Sequence, residues 1–286
     1  MLAARPATLP AAAAPVLVGG GLAAHDGVFR WDLFAVTLFA ALALQVGVNF
    51  ANDLSDGLRG VDDDRVGPVR AVAAGLIAPD AMRRGIVVVF GLAVAAGLYL
   101  ALHAGWVIVG IGVASILAAL GYTGGPIPYG YRGLGEASVF VFFGLVATVG
   151  TRYVFDRTAP SGVWLLGASM GAFAAAILVA NNLRDRAGDE AAGKRTLAVI
   201  LGDRRTRILF SGLLGGAYAA IAVAVVAGYL PTTTLLGLVT APGALRLARR
   251  TDPSDPSRLV GVLVGTARLQ LVTALLVSVG LLVGGR

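Results

Sequence analysis

Long apolar stretches separated by short polar connections run through almost all of this chain, and they leave few folds open. Crossing a bilayer takes about 20 apolar residues. Stretches of that kind are readable at 9–24, 33–52, 84–102, 105–123, 134–153, 161–183, 207–229, 232–248 and 260–283. A backbone in hydrocarbon must satisfy its own hydrogen bonds, so such segments fold as helices. The composition agrees. The chain is 57% hydrophobic and 14% charged, where a soluble domain carries about 25% charged residues. The expected architecture is an all-α integral membrane protein of nine transmembrane helices sharing one central cavity. Pro10 and Pro15 make the first span the weakest. The start lacks a compact apolar core followed by a cleavage site, so no cleaved signal peptide is expected.

The charges give an orientation. Of the 23 basic residues, Lys194 is the one lysine and the rest are arginine. Seventeen fall in or beside the connections after the second, fourth, sixth and eighth spans, against Arg30, Arg152 and Arg157 in the alternate ones. Basic residues concentrate on the cytoplasmic side, so the N-terminus is expected inside and the C-terminus outside. Cysteine is absent, which removes disulfides, thiolate metal sites and a cysteine nucleophile together. Nucleic acid is not among the expected partners, because the net charge of +7 belongs to membrane-flanking positions.

Two acidic clusters lie on that same side and hold half of the 16 acidic residues. The first is Asn52-Asp53-Leu54-Ser55-Asp56, followed by Asp62, Asp63 and Asp64; the second is Asn181-Asn182-Leu183-Arg184-Asp185, followed by Asp189 and Glu190. They recur at an offset of 129 residues, consistent with a single domain over 1–286 in which helices 1–4 and 5–8 form a pseudo-repeat. Carboxylates at the edge of hydrocarbon are costly and mark functional sites by default. Gln45, Asn49, Asn52 and Asp56 are spaced to fall on one helical face, and so are Asn181, Asp185 and Asp189. Asp53 with Asp56 and Asp185 with Asp189 are expected as same-face carboxylate pairs. Helix capping is the bland alternative. Hard oxygen ligands suit Mg²⁺, Mn²⁺ or Ca²⁺, and Mg²⁺ completes its shell with water and phosphate oxygens. Arg59, Arg65, Arg70, Arg132, Lys194 and Arg195 are then natural phosphate contacts. The Gly- and Pro-rich connection from Tyr122 to Glu136 holds Tyr122, Tyr129 and Tyr131, rings suited to a cation or an aromatic ligand, or to the interfacial belt.

Together these residues resemble the UbiA superfamily of intramembrane polyprenyltransferases. Asn52-Asp53-x-x-Asp56 looks like its first aspartate motif and Asp185-x-x-x-Asp189 like its second. Arg5-Pro6-x-Thr8-Leu9-Pro10, Asp62 through Arg70, Tyr122 through Glu136, and Asn181 through Gly202 resemble the branch that prenylates 1,4-dihydroxy-2-naphthoate. The superfamily pattern has another Asp four residues after Asp56, where this chain has Gly60; Asp62, Asp63 and Asp64 compete for that role. The resemblance implies nine helices around a lipid-open cavity in a bacterial cell membrane. It implies Mg²⁺ held by Asn52, Asp53, Asp56, Asp62, Asp185 and Asp189. Asp53, Asp56, Asp185, Asp189 and Lys194 are implied as the catalytic group.

The implied substrates are a polyprenyl diphosphate, with its tail in membrane lipid, and the naphthoate. Asn49, Asn52, Arg65, Arg70, Tyr122, Tyr129, Arg132, Asn181 and Arg195 would contact them. Tyr122, Phe50 or Tyr129 would shield an allylic carbocation. Other acceptors such as 4-hydroxybenzoate, or a cation-coupled transporter, are the alternatives.

Overall fold

A computed structural model describes residues 2–58, 70–125 and 128–285. Among them, eight helices are long and apolar enough to cross a membrane: α1 from Leu9 (within the span Pro6–His25), α2 Trp31–Leu58, α3 Pro79–Ala104, α4 Trp106–Thr123, α5 Gly135–Asp156, α6 Ser161–Ala191, α7 Leu197–Val226 and α9 Pro256–Val283. The protein is thus a multi-pass membrane protein. The predicted span 232–248 takes another form, a 3₁₀ helix Thr232–Thr240 running into the short helix α8 Ala241–Arg249. Among the described residues, eight of the nine expected spans are long helices, and this composite stands in place of the ninth. A 3₁₀ helix rises faster per residue than an α-helix, so its 18 residues reach about 31 Å, close to the thickness of the hydrocarbon.

Pro10 and Pro15 do not interrupt α1, which is continuous from Leu9 to His25. Pro10 lies in the first turn, where its missing N–H would have had no partner, and Pro15 removes one bond from a helix held by its neighbours. The helix is built of Ala, Gly and Val and is buried along most of its length. The central pillar is α6, whose face from Val163 through Leu183 is enclosed and packs along α7 and α9. In α5 the segment Phe140–Val146 winds as a π-helix between two α-helical parts. In α7 the break sits at Gly202, whose φ of 70° is open to glycine and strained for other residues.

At the end of the bundle away from the acidic clusters, Arg152 is buried and bridges two helices. Its Nε and Nη2 reach Asp26 at 2.8 and 2.7 Å, and its Nη1 reaches Asp156 at 2.6 Å. Removing one partner of a buried ion pair leaves the rest uncompensated. Both carboxylates keep some solvent contact, so the cost is reduced. Arg152→Met is expected to lower the melting temperature in detergent by about 5 °C and to leave turnover unchanged, as a thermal scan paired with an activity assay would read.

Candidate active site

The two polar stripes meet. Gln45, Asn49, Asn52 and Asp56 from α2 face Asn181, Asp185 and Asp189 from α6 across one cavity of about 830 Å³. Tyr122, Thr123 and Tyr129 line its polar mouth. Below, the walls become apolar through Leu98, Ile108, Phe142, Val146 and Val154. Thr37 and Asp56 both line it and are separated by about 28 Å of helix rise. The cavity therefore runs from a charged mouth nearly through the bundle.

Each carboxylate at the mouth holds a cation. Asp56, almost fully buried, accepts from Arg70 Nη2 at 2.9 Å and from the Tyr131 hydroxyl at 2.5 Å. Lys194 Nζ lies between the clusters, 3.6 Å from Asp56 and 3.7 Å from Asp189. It also sits 4.5 Å from the centroid of the Tyr131 ring, a cation–π contact. Asp185 is gripped by both arms of Arg184, at 2.7 Å each, and Arg184 also donates to Asn181 Oδ1 at 2.9 Å. The Arg195 backbone N–H donates to the Tyr131 carbonyl at 2.9 Å, tying the third polar segment to the second cluster.

Several sequence expectations are corrected. Asp53 is not paired with Asp56 and does not line the cavity: its two carboxylate oxygens accept from the backbone N–H groups of Ala71 and Val72 at 3.0 and 2.9 Å. Residues three apart on a helix diverge enough for one to face a neighbouring loop and the other the cavity. The side chains of Arg132 and Arg195 are exposed and outside the cavity lining, because both follow turns that put the preceding residue, Tyr131 or Lys194, inward. Phe50 packs beside Met82 and Ala71 rather than on the cavity. Arg59, Asp62, Asp63, Asp64 and Arg65 lie outside the described residues.

The sequence reading left Arg184 without a role and gave Tyr131 no individual one; Arg184 was visible as a basic residue inside the second cluster, Tyr131 as one ring among several. Burial pushes the Tyr129 phenol above its ordinary pKa, with the Ser138 hydrogen bond opposing. Its protonated hydroxyl contacts the Ala118 carbonyl at 2.7 Å and Ser138 at 2.9 Å.

This geometry joins a charged mouth to a deep apolar bore. The UbiA prenyltransferase family model matches residues 12–260. The chain belongs to the UbiA prenyltransferase family. A 1,4-dihydroxy-2-naphthoate octaprenyltransferase of Mycobacterium tuberculosis is 44% identical, over 98% of this chain and 96% of that protein. The protein of the same name in Escherichia coli is 36% identical, over 97% and 92%. The UbiA fold is shared with an apo homologue from Aeropyrum pernix (TM-score 0.72, 16% identity, 96% and 97% covered). It is shared too with one from Archaeoglobus fulgidus bound to DMAPP and Mg²⁺ (TM-score 0.68, 14% identity, 97% and 98% covered).

Among the described residues, no three acidic or imidazole side chains converge as a ready metal cage. Mg²⁺ does not require one, since it is commonly held by one or two carboxylates with water and substrate phosphates. Asp56, Asp185 and Asp189, with the Asn52 and Asn181 amides, supply hard oxygens on both sides of the mouth. The donor chemistry fits this ion.

Proposed function

We propose that this UbiA-family enzyme transfers a polyprenyl group from polyprenyl diphosphate to 1,4-dihydroxy-2-naphthoate, with loss of the carboxylate as CO₂, giving demethylmenaquinol. The observation that carries the chemistry is the interlock of Asp56, Lys194, Asp189 and Tyr131 at the head of an apolar bore long enough for an isoprenoid tail. The acceptor follows from the name shared by the relatives that match nearly end to end.

Mg²⁺ would be held by Asp56, Asp185 and Asp189 with Asn52 and Asn181, and when bound supplies neutralisation of the diphosphate charge. Arg70, Lys194 and Arg184 already stand among these carboxylates and can turn to phosphate oxygens, stabilising negative charge on the leaving group. Asp53 holds the backbone of the segment that Arg70 begins. The Tyr122 and Tyr129 rings line the cavity mouth and would shield the allylic carbon, while the apolar walls below would exclude water from it. The mouth is assigned to the cytoplasmic side of a bacterial cell membrane on the charge asymmetry of the connections. A transporter reading has no comparable support: the polar groups gather at one end rather than near the midplane.

The test is incubation of membranes containing the protein with polyprenyl diphosphate and dihydroxynaphthoate, read by product mass. The expected product is prenylated and lacks the carboxylate, and chelation by EDTA abolishes it. A product that keeps the carboxylate, or none at all, overturns the reading.

A further inference from the structure

The first turn of α5 carries Glu136, a residue 6% exposed that stands outside the cavity lining. Its Oε1 accepts from Asn182 Nδ2 on α6 at 2.9 Å, and its Oε2 is buried without a hydrogen-bond partner. An acid in this state at the edge of hydrocarbon is costly, because the unpaired oxygen keeps its desolvation penalty. Two apolar side chains would join the helices without that cost. What the carboxylate adds beyond packing is the orientation of the amide it holds.

A carboxylate only accepts, so Asn182 turns its NH₂ group to Glu136 and its Oδ1 the other way. Asn182 is 5% exposed and lines the cavity. With its nitrogen committed to a residue behind the wall, the oxygen is the end of the amide that meets the cavity. The bond to Glu136 is the one side-chain hydrogen bond of Asn182 among the described residues.

Position narrows what that oxygen can receive. Leu178, Asn182, Asp185 and Asp189 follow at intervals of four, three and four along α6, share one face and line the cavity. Asn182 is thus the step between the apolar bore and the charged mouth, about 4.5 Å of helix rise below Asp185. Gly135, beside Glu136, backs onto Tyr122: a Cβ there would lie 3.1 Å from the Tyr122 hydroxyl. The Tyr122 and Tyr129 rings meet edge to face at 5.5 Å, so aromatic groups flank this level. An acceptor oxygen needs a donor. Ionised diphosphate oxygens have none, and neither has an isoprenoid tail. A ring hydroxyl has one. In 1,4-dihydroxy-2-naphthoate the hydroxyl next to the carboxylate closes an internal hydrogen bond with it, which leaves the 4-hydroxyl as the free donor.

We propose that Asn182 selects the free ring hydroxyl of the aromatic acceptor, its Oδ1 accepting from the 4-hydroxyl, and that Glu136 is the positioning residue that holds the amide in this orientation. This rests on the prenyltransfer reading above. The pair places the ring at the junction of mouth and bore, where diphosphate and tail meet, and makes the contact between α5 and α6 a determinant of acceptor choice.

The test measures equilibrium binding of two fluorescent probes, 4-hydroxy-2-naphthoate and 2-naphthoate, to the protein purified in detergent with Mg²⁺ and inorganic pyrophosphate. The readout is the Kd of the unsubstituted acid over that of the hydroxy acid; both probes carry the carboxylate, so the ratio isolates the hydroxyl. Wild type is expected to favour the hydroxy acid about tenfold, the scale of one hydrogen bond, and Asn182→Leu to bind both alike. Glu136→Gln keeps the preference, because its amide oxygen still accepts from Asn182. Glu136→Leu frees the amide to turn and lowers it. Asn182→Asp combined with Glu136→Gln inverts the polarity of the pair, leaves an oxygen on the cavity and restores the preference. No preference in wild type, or an undiminished one in Asn182→Leu, overturns the assignment. A raised Mg²⁺ requirement in Asn182→Leu with the preference intact overturns it too, making Asn182 a metal ligand. Should Asn182→Leu fail to fold, equal preference in Glu136→Leu and Glu136→Gln overturns the positioning role.

Binding needs no turnover, so the two readings separate. A preference lost in Asn182→Leu, with no product from wild type, keeps the Asn182 contact and fails the prenyltransfer reading. Normal wild-type turnover with the same preference in both proteins does the reverse.

Discussion

Replacing Asp56 or Asp185 by alanine lowers prenyl transfer by about a thousandfold or more, while thermal unfolding in detergent still shows a cooperative transition. Asp56 is where Arg70, Tyr131 and Lys194 converge, so its loss removes a hard oxygen ligand and leaves three groups that were organised around it. Asp185 is the corresponding hub for Arg184 on the facing helix. Asp53→Ala has a different expected result, although its residue belongs to the same motif. Its carboxylate caps the amides of Ala71 and Val72, so the loss loosens the segment led by Arg70. That change raises KM for the diphosphate about tenfold, the scale of one or two lost charge-assisted hydrogen bonds, with kcat less affected. Equal, complete inactivation by Asp53→Ala and Asp56→Ala would put Asp53 back among the direct ligands. Retained turnover in Asp56→Ala and Asp185→Ala would remove the metal–diphosphate mechanism.

Gly144→Ala produces the largest expected loss of stability. A Cβ at this position would lie 2.3 Å from Gly171 Cα and 2.6 Å from the Gly167 carbonyl oxygen, backbone atoms that cannot swing aside. The approach is reciprocal, since a Cβ on Gly171 would meet the Phe140 carbonyl at 2.6 Å. Helices in lipid gain from close packing of small residues rather than from burial away from water, so prising α5 from α6 removes the force that joins them. Overpacking at such a contact costs about 3 kcal/mol, a fall of roughly 6–12 °C in melting temperature. Activity falls with it, because α6 carries Asn181 through Asp189. Gly212→Ala, where a Cβ meets nothing within 4 Å, is the matched control. Wild-type stability in Gly144→Ala would show that the two helices are not in this contact.

The spans and the two polar stripes were legible in the sequence because both are periodic. Apolar length reports a crossing, and a spacing of three and four reports a face. Asn52, Asp56, Asn181, Asp185 and Asp189 were found this way and do share one cavity. What local pattern could not carry was the partner of each charge. Asp53 is separated from Asp56 only by the segment near Ala71 that captures it, a contact set by tertiary structure. Arg132 and Arg195 looked equivalent to Arg70 as basic residues near acids, but the turns that carry them face outward. Tyr131 became distinct only when its hydroxyl met Asp56 and its ring met Lys194. The 3₁₀ form of Thr232–Thr240 was hidden because hydropathy counts residues rather than rise.

Because Phe140–Val146 winds as a π-helix, α5 holds roughly one residue more than a regular helix of that length, and its two ends are phased independently. Ser138, ahead of the π turn, meets Tyr129 at the mouth; Arg152, after it, reaches Asp26 at the far end. A chain shorter by one residue in this segment would wind regularly and rotate one end against the other by about 100°. One of those two partners would then be lost. A residue added or removed in the connections leaves this phase alone, whereas one inside the turn breaks it, so the π segment sets the register between the mouth and the opposite end of the bundle.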